Sequence, residues 1–168
     1  MRMTRRQILA GMAASFGLAK FGIAQAQSGF EPLEKTKAQW RELLANDAAY
    51  RVLFEEATER PRSSALNQEK REGTYICRAC YLPLFESGWK YESGTGWPSF
   101  YDAIPGHVDT KTDFKLLYPR TEYHCARCGG HQGHVFKDGP KPTGLRYCNN
   151  GVALSFIPAG EELPALRS

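Results

Sequence analysis

Apolar residues recur at helical spacing between positions 36 and 58. The apolar positions of this segment are Trp40, Leu43, Leu44, Tyr50, Leu53, Phe54 and Ala57. A spacing of three or four residues puts such side chains on one face of a helix. Asn46 and Asp47 interrupt the pattern and are typical of a helix break followed by an N-cap, so the segment is predicted to form two successive helices.

Beyond Gly73 the pattern changes to short β-rich runs that are bounded by glycine or proline. The runs cover residues 74–77, 114–118, 122–125 and 152–157. Several short runs of this kind predict a mostly antiparallel sheet. The charged stretch 59–72 is predicted to be an irregular surface segment. The expected fold class is therefore mainly β, with the two N-terminal helices packed on one side of the sheet.

The first 26 residues have the features of an export signal. Arg5 and Arg6 form a twin-arginine start, a stretch rich in alanine and glycine follows, and Ala24-Gln25-Ala26 resembles a cleavage site. The apolar stretch is shorter than the about 20 residues that a membrane span needs. We expect a twin-arginine signal peptide over residues 1–26, export to the periplasm and no membrane insertion after cleavage. A frayed N-terminal helix is the alternative.

Most of the net positive charge of the chain belongs to this signal segment. Four of the 22 basic residues lie in positions 1–26 and none of the 18 acidic residues does, so the remainder is formally neutral. A neutral domain lacks the basic surface that binding to nucleic acid requires. We expect three parts along the chain, which are the signal peptide, a linker over residues 27–34 and one domain over residues 35–168. The domain is expected to be a monomer.

Four of the five cysteines fall into two Cys-x-x-Cys pairs. The pairs are Cys77 with Cys80 and Cys125 with Cys128. Two residues between cysteines let both sulfurs bind one metal, and two such pairs supply the four thiolates of a closed tetrahedral zinc site. Since that site leaves no open coordination position for substrate, we expect one structural zinc ion. Redox or disulfide pairs, and iron in place of zinc, are the alternatives.

Cys148 is the one cysteine outside these pairs. If residues 146–150 form a strand, the side chains of Arg146, Cys148 and Asn150 share one face. A cation beside the sulfur lowers the pKa of the thiol, and the thiolate is the nucleophilic form. Asn150 is an uncharged donor suited to a polar substrate atom. Cys148 is therefore a candidate nucleophile, and a small buried hydrophobic residue is the alternative.

Two more segments contain candidate site residues. His131 and His134 lie three residues apart, and Asp138 follows. The histidines are candidate acid–base groups for the thiol, with a second metal site or buried structural histidines as alternatives. Trp97 lies in a loop, residues 94–100, that glycine and proline make rigid. We expect its indole at a surface pocket, where it could surround a small apolar group, although most tryptophans lie in the core.

Taken in order along the chain, these motifs resemble those of the B-type methionine sulfoxide reductases. The motifs are Gly-x-Gly-Trp-Pro-Ser-Phe, the two Cys-x-x-Cys pairs, Gly-His-x-Gly-His-Val-Phe-x-Asp-Gly-Pro and Gly-Leu-Arg-Tyr-Cys-x-Asn. The resemblance extends from about Thr36 to Phe156. It implies the family's β-tent of antiparallel strands flanked by helices. It also implies an enzyme that reduces the R epimer of methionine sulfoxide, in oxidised proteins or as the free amino acid.

The resemblance assigns roles to the candidate residues. Cys148 is implied to attack the sulfoxide sulfur and become a sulfenic acid, while His134, assisted by His131, protonates the oxygen. Trp97 is implied to receive the substrate methyl group. The residues implied to orient the site and tune the thiolate are Asp138, Arg146 and Asn150. The implied zinc ligands are Cys77, Cys80, Cys125 and Cys128.

The chain departs from much of this family at Thr95, where many members have a resolving cysteine. With four cysteines assigned to zinc, no second free thiol remains, so we expect an external thiol from a thioredoxin-like partner to reduce the sulfenic acid. Two other classes of function stay open: an exported zinc module that binds protein, and a periplasmic disulfide oxidoreductase. The combination of Cys148 with two histidines favours the reductase.

Overall fold

The computed structural model describes residues 29–115 and 118–168. The predicted signal peptide over residues 1–26 lies outside the described residues, as do the first two residues of the predicted linker. The rest of the linker is irregular and contacts the domain: the Leu33 N–H donates to the Arg127 carbonyl at 2.7 Å. Among the described residues, no helix combines the length and apolar character needed to cross a membrane.

The two predicted helices are confirmed as α1 (Lys37–Leu44) and α2 (Asp47–Glu55). Each begins at a polar cap: Thr36 forms a capping box at α1, and the Asn46 side chain accepts the Ala49 N–H at α2. Such caps satisfy N–H groups that have no partner within the helix. The rings of Trp40 and Phe54 stack at 4.6 Å and join the two helices.

The described residues also form nine strands, which are β1 (Gly73–Cys77), β2 (Pro83–Glu86), β3 (Lys90–Tyr91), β4 (Ser99–Phe100), β5 (Val108–Asp113), β6 (Arg120–Cys125), β7 (His131–Phe136), β8 (Arg146–Asn149) and β9 (Leu154–Pro158). One sheet has the order β2-β1-β9 and the other β3-β4-β8-β7-β6-β5. All neighbouring strands are antiparallel. The predicted mainly β, antiparallel fold with two N-terminal helices is confirmed.

Aromatic rings from the two sheets pack against each other and form the centre of the core. Phe100 of β4 stacks on Phe85 of β2 at 4.2 Å and meets Tyr75 of β1 edge-on at 4.9 Å. Tyr123 of β6 contacts Tyr147 of β8 at 5.2 Å. Buried rings of this size exclude much water and hold the inner strands at defined positions. These contacts hold β4, β6 and β8 of the larger sheet against β1 and β2 of the smaller one.

Two strand predictions need correction. Residues 114, 115 and 118 lie in the connection between β5 and β6, so the strand predicted over 114–118 is wrong. The chain turns there because the Asp113 carboxylate accepts the Lys115 N–H and the Arg120 guanidinium, at 2.8 and 2.6 Å. The run predicted over 152–157 begins as a short 3₁₀ turn, Gly151–Ala153, and becomes a strand only at Leu154.

Candidate active site

Cys148 lies on β8, inside the six-stranded sheet. It pairs with Ser99 of β4 on one side and with His134 of β7 on the other. Gly133 makes the close approach of β7 possible, because a Cβ there would lie 1.9 Å from the Cys148 carbonyl oxygen. Two backbone ladders therefore determine where the sulfur lies.

A pocket of about 140 Å³ includes the Cys148 side chain. Its lining residues are Thr58, Trp97, Arg120, Gly133, His134, Phe136, Cys148, Asn149 and Asn150. It thus brings together the predicted nucleophile, one of the two predicted acid–base histidines, the predicted indole wall and the predicted amide. These four residues come from three separate parts of the chain.

The His134 imidazole is held by Asp113, the last residue of β5. His134 Nε2 lies 2.8 Å from Asp113 Oδ2, and Arg120 donates to the same oxygen. The Lys115 N–H, His134 and Arg120 lower the pKa of the Asp113 carboxyl, so it is ionised at neutral pH. An anionic acceptor at Nε2 fixes the orientation of the ring.

His131 lies beside His134 but does not line the pocket. The two ring centroids are 5.5 Å apart, and His131 is only 2% exposed. Its Nδ1 lies 2.6 Å from Glu122 Oε1, and Lys111 binds the other Glu122 oxygen at 3.0 Å. Burial lowers the pKa of His131, and Glu122 offsets part of that effect. We assign a neutral ring that donates Nδ1–H to Glu122 and supports His134 by packing.

Arg146 and Asp138 form a bidentate ion pair at 2.9 and 2.8 Å. The Arg146 guanidinium also lies over the Phe136 ring, 4.3 Å from its centroid. Burial raises the pKa of the Cys148 thiol, and the Arg146 charge and a hydrogen bond with Thr95 offset that rise only in part. The expected net lowering of this pKa is therefore wrong in this structure, because desolvation outweighs the cation.

Trp97 and Asn150 are both anchored by the backbone of Glu59. The Trp97 Nε1–H donates to the Glu59 carbonyl at 3.1 Å, and the half-buried indole lines the pocket instead of filling the core. Asn150 is not part of the expected strand, because β8 ends at Asn149. Its Oδ1 accepts the Glu59 N–H at 3.0 Å, and its Nδ2 donates to the Gln132 carbonyl at 3.0 Å.

The two Cys-x-x-Cys pairs converge on one point. The four sulfur atoms lie within 4.8 Å of one another, with Cys77 and Cys128 at 3.7 Å and Cys80 and Cys125 at 3.5 Å. A tetrahedron with metal–sulfur bonds of about 2.3 Å has sulfur–sulfur edges of about 3.8 Å, whereas a disulfide is about 2.05 Å long. None of the five cysteines forms a disulfide. The cluster therefore fits a metal ion held by four thiolates.

Gln132 connects this cluster with the pocket. Its side-chain amide donates to Cys77 Sγ at 3.5 Å. Its backbone carbonyl accepts the Asn150 N–H at 2.8 Å, in addition to the Asn150 side chain. Because Gln132 also belongs to β7, its hydrogen bonds link the four-cysteine cluster to a strand of the larger sheet and to Asn150 at the pocket.

Comparison with known proteins agrees with this geometry. Residues 45–158 match the family model described as the SelR domain. The chain is 50% identical over 125 residues to peptide methionine sulfoxide reductase MsrB of Methanosarcina barkeri, an alignment that covers 74% of this chain and 87% of that protein. The chain belongs to the MsrB family. The predicted family and enzyme class are thereby confirmed.

Other members of the MsrB family align over similar lengths. The MsrB of Bradyrhizobium diazoefficiens is 48% identical over 136 residues, which cover 80% of this chain and 97% of that protein. The MsrB of Caulobacter vibrioides is 49% identical over 140 residues, which cover 82% of this chain and 88% of that protein. Nearly the whole length of these relatives is therefore represented here.

Several site residues were not found from the sequence, namely Thr58, Glu59, Asp113, Arg120 and Glu122. Asp113 and Arg120 flank the β5–β6 connection, whose apolar and aromatic residues are typical of a strand and give no local sign of a turn. The others are single acidic or polar residues without a spacing pattern. Their proximity to the pocket follows from strand order, which the local sequence does not encode.

Proposed function

We propose that this member of the MsrB family reduces methionine R-sulfoxide to methionine through Cys148. The observation that carries the proposal is one pocket lined by an unpaired thiol, an imidazole on the adjacent strand and an indole. A nucleophile, a proton donor and an apolar wall are the three groups that reduction of a methyl sulfoxide requires. The substrate is methionine sulfoxide in oxidised proteins, and also the free amino acid.

In the proposed reaction, oxygen moves from the sulfoxide to the Cys148 sulfur. His134 takes the thiol proton and gives a proton to the sulfoxide oxygen as the Cys148 sulfur attacks. The S–O bond of the substrate breaks, its sulfur gains two electrons, and Cys148 becomes a sulfenic acid. No net proton is consumed, because the proton that leaves the thiol is balanced by the proton that the transferred oxygen carries in the sulfenic acid.

Epimer selection is assigned to three groups that line the pocket, namely Trp97, His134 and Cys148. In this assignment Trp97 receives the methyl group, His134 protonates the oxygen and Cys148 attacks the sulfur. Once the methyl group, the oxygen and the attacking thiol have their places around the sulfoxide sulfur, one direction remains for the rest of the methionine side chain. One configuration at sulfur fits, and we assign it to the R epimer.

An external thiol completes the cycle. The sulfenic acid accepts two electrons from a dithiol, releasing water and leaving the donor as a disulfide. Thr95 stands beside Cys148 where a resolving cysteine would be needed, and the other four cysteines belong to the metal cluster. We therefore propose a thioredoxin-like protein as the reductant.

We propose that the four-cysteine cluster binds one zinc ion with a structural role. Cys77, Cys80, Cys125 and Cys128 would hold it as thiolates, and a four-thiolate site leaves no position for substrate. The ion would supply folding energy and no reaction chemistry.

We also propose that the protein is a monomer, that it enters the periplasm by the twin-arginine route and that residues 1–26 are removed. Fractionation of cells that express variants with Arg5 and Arg6 replaced by lysine tests this route.

An assay that separates the two sulfoxide epimers tests the proposed activity. The purified chain should convert only the R epimer, with dithiothreitol as the reductant. Cys148→Ser should abolish turnover while metal content and the thermal transition stay as in the wild type. Turnover in Cys148→Ser, or equal use of both epimers, contradicts the proposal. A substrate-oxidised protein with an intramolecular disulfide at Cys148 contradicts the external reductant.

A further inference from the structure

Glu59 contacts several parts of the pocket wall although it does not line the pocket. It lies in the irregular segment between α2 and β1. Its backbone carbonyl accepts the Trp97 indole N–H at 3.1 Å, and its backbone N–H donates to Asn150 at 3.0 Å. One residue therefore anchors two groups that come from distant parts of the chain.

The Glu59 carboxylate anchors a third element, the turn that follows β8. Oε1 accepts the Gly151 N–H at 2.5 Å, and Oε2 accepts the Val152 N–H at 3.0 Å. These two N–H groups begin the 3₁₀ turn Gly151–Ala153, directly after Asn150. A carboxylate that accepts two backbone N–H groups at the start of a turn caps it, as an acidic residue caps a helix. Burial raises the pKa of the Glu59 carboxyl, and these two N–H groups oppose that effect.

The surroundings of Gly151 leave little freedom for the capped turn to move. A Cβ at this position would lie 2.1 Å from the Ser64 hydroxyl oxygen and 3.2 Å from Glu59 Oε1. The turn therefore lies directly against Ser64 and Glu59. If Glu59 loses its charge, the turn loses its cap, and Asn150, the residue directly before the turn, can shift with it.

We infer that Glu59 is a positioning residue that sets the methyl-binding wall of the pocket, an inference that rests on the proposed function. The carboxylate holds the turn after β8, this turn holds Asn150, and the same residue's backbone holds the Trp97 ring. Glu59 contacts neither Cys148 nor His134, whose positions are set by strand pairing. Glu59 therefore governs how tightly the substrate methyl group is bound, and the chemical step depends on other residues.

The split between KM and kcat tests this assignment. Glu59→Gln keeps the size of the side chain but turns an amide N–H toward one of the two N–H donors. We expect KM for methionine R-sulfoxide to rise at least fivefold while kcat stays within twofold. This is the result of losing an interaction that stabilises the bound substrate and the transition state equally. Glu59→Asp keeps the charge with a shorter reach and should give an intermediate KM.

Glu92→Gln is the matched control. Glu92 also accepts a backbone N–H of the Trp97 loop, that of Gly94 at 2.9 Å, but contacts neither Trp97 nor Asn150. It should leave both kinetic constants unchanged. If Glu59→Gln does not fold, as judged by its thermal transition, Glu59→Asp alone decides the question. A KM within twofold of wild type in the folded Glu59 variants, or a fall in kcat at constant KM, overturns the inference.

Tryptophan fluorescence separates this inference from the proposed activity. Glu59→Gln should shift the emission to longer wavelength as the Trp97 indole becomes more hydrated. The shift should vanish when both proteins also carry Trp97→Phe, because Trp40 and Trp89 then provide the whole signal. An emission spectrum unchanged by Glu59→Gln overturns the positioning role. A wild-type chain without activity on the R epimer contradicts the proposed function instead, and the fluorescence result still stands.

Discussion

Replacing Arg146 with glutamine should slow alkylation of Cys148 about tenfold at neutral pH. The Arg146 guanidinium is the cation that opposes the effect of burial on the pKa of the Cys148 thiol. Its removal raises this pKa further, so a smaller fraction of the sulfur is thiolate at any pH below it. The fold should tolerate the change, because the partner Asp138 has a side chain that is 61% exposed and can be hydrated.

The size of the effect follows from two opposing charges. A full charge at about 4 Å contributes about 4 kcal/mol at an effective dielectric constant of about 20. The Asp138 carboxylate, 2.8 Å from Arg146, opposes part of this attraction at the sulfur, and the solvent around this half-exposed ion pair screens more of it. A remainder of about 1.4 kcal/mol corresponds to a tenfold change in the thiolate population.

The assay is the rate of iodoacetamide modification at Cys148, followed by mass spectrometry as a function of pH. The metal-loaded protein is used so that the other four cysteines are protected. Lys137→Gln, which removes an exposed cation just beyond β7, is the control and should leave the rate unchanged. Arg146→Lys should restore part of the rate. An Arg146→Gln protein that reacts as fast as wild type would show that the argument from charge is incorrect.

Three further predictions concern stability. Removal of the metal by a strong chelator should abolish the cooperative thermal transition seen by circular dichroism, since four-thiolate zinc sites contribute about 10–16 kcal/mol of apparent binding energy. Gly133→Ala should destabilise the fold by about 3 kcal/mol and greatly reduce activity, because the added Cβ would clash with the Cys148 backbone. Unfolding in urea measures the loss of stability. The control is Gly88→Ala, where a Cβ meets nothing within 4 Å, and it should be near neutral. Asp113→Asn should cost about 2 kcal/mol at pH 7. Because the folded-state pKa of Asp113 lies below its ordinary value, that stabilisation exists above about pH 4 and is lost as the pH falls further, so wild type and variant should converge in acid.

The local sequence was sufficient wherever a short pattern has one physical interpretation. The α1–α2 break follows from the capping chemistry of Asn46, and the metal cluster follows from ligand spacing, which the 3.5 and 3.7 Å sulfur separations match. The motif around Trp97 predicted a tryptophan at a pocket, because glycine and proline restrict that loop. By contrast, β7 has no alternating pattern, since histidine and glycine occupy a strand whose pairing is set by its neighbours.

The sequence by itself determined the candidate chemical groups: one thiol outside the cysteine pairs, the closely spaced His131 and His134, the Trp97 indole and two Cys-x-x-Cys pairs. Only the tertiary structure decided which of them meet. Strand pairing put Cys148 opposite His134, gave His134 an anionic partner in Asp113 and left His131 behind the pocket with Glu122. It also reversed the expected net effect on the Cys148 pKa, because desolvation depends on everything packed around the sulfur, whereas a neighbouring arginine is visible in the sequence.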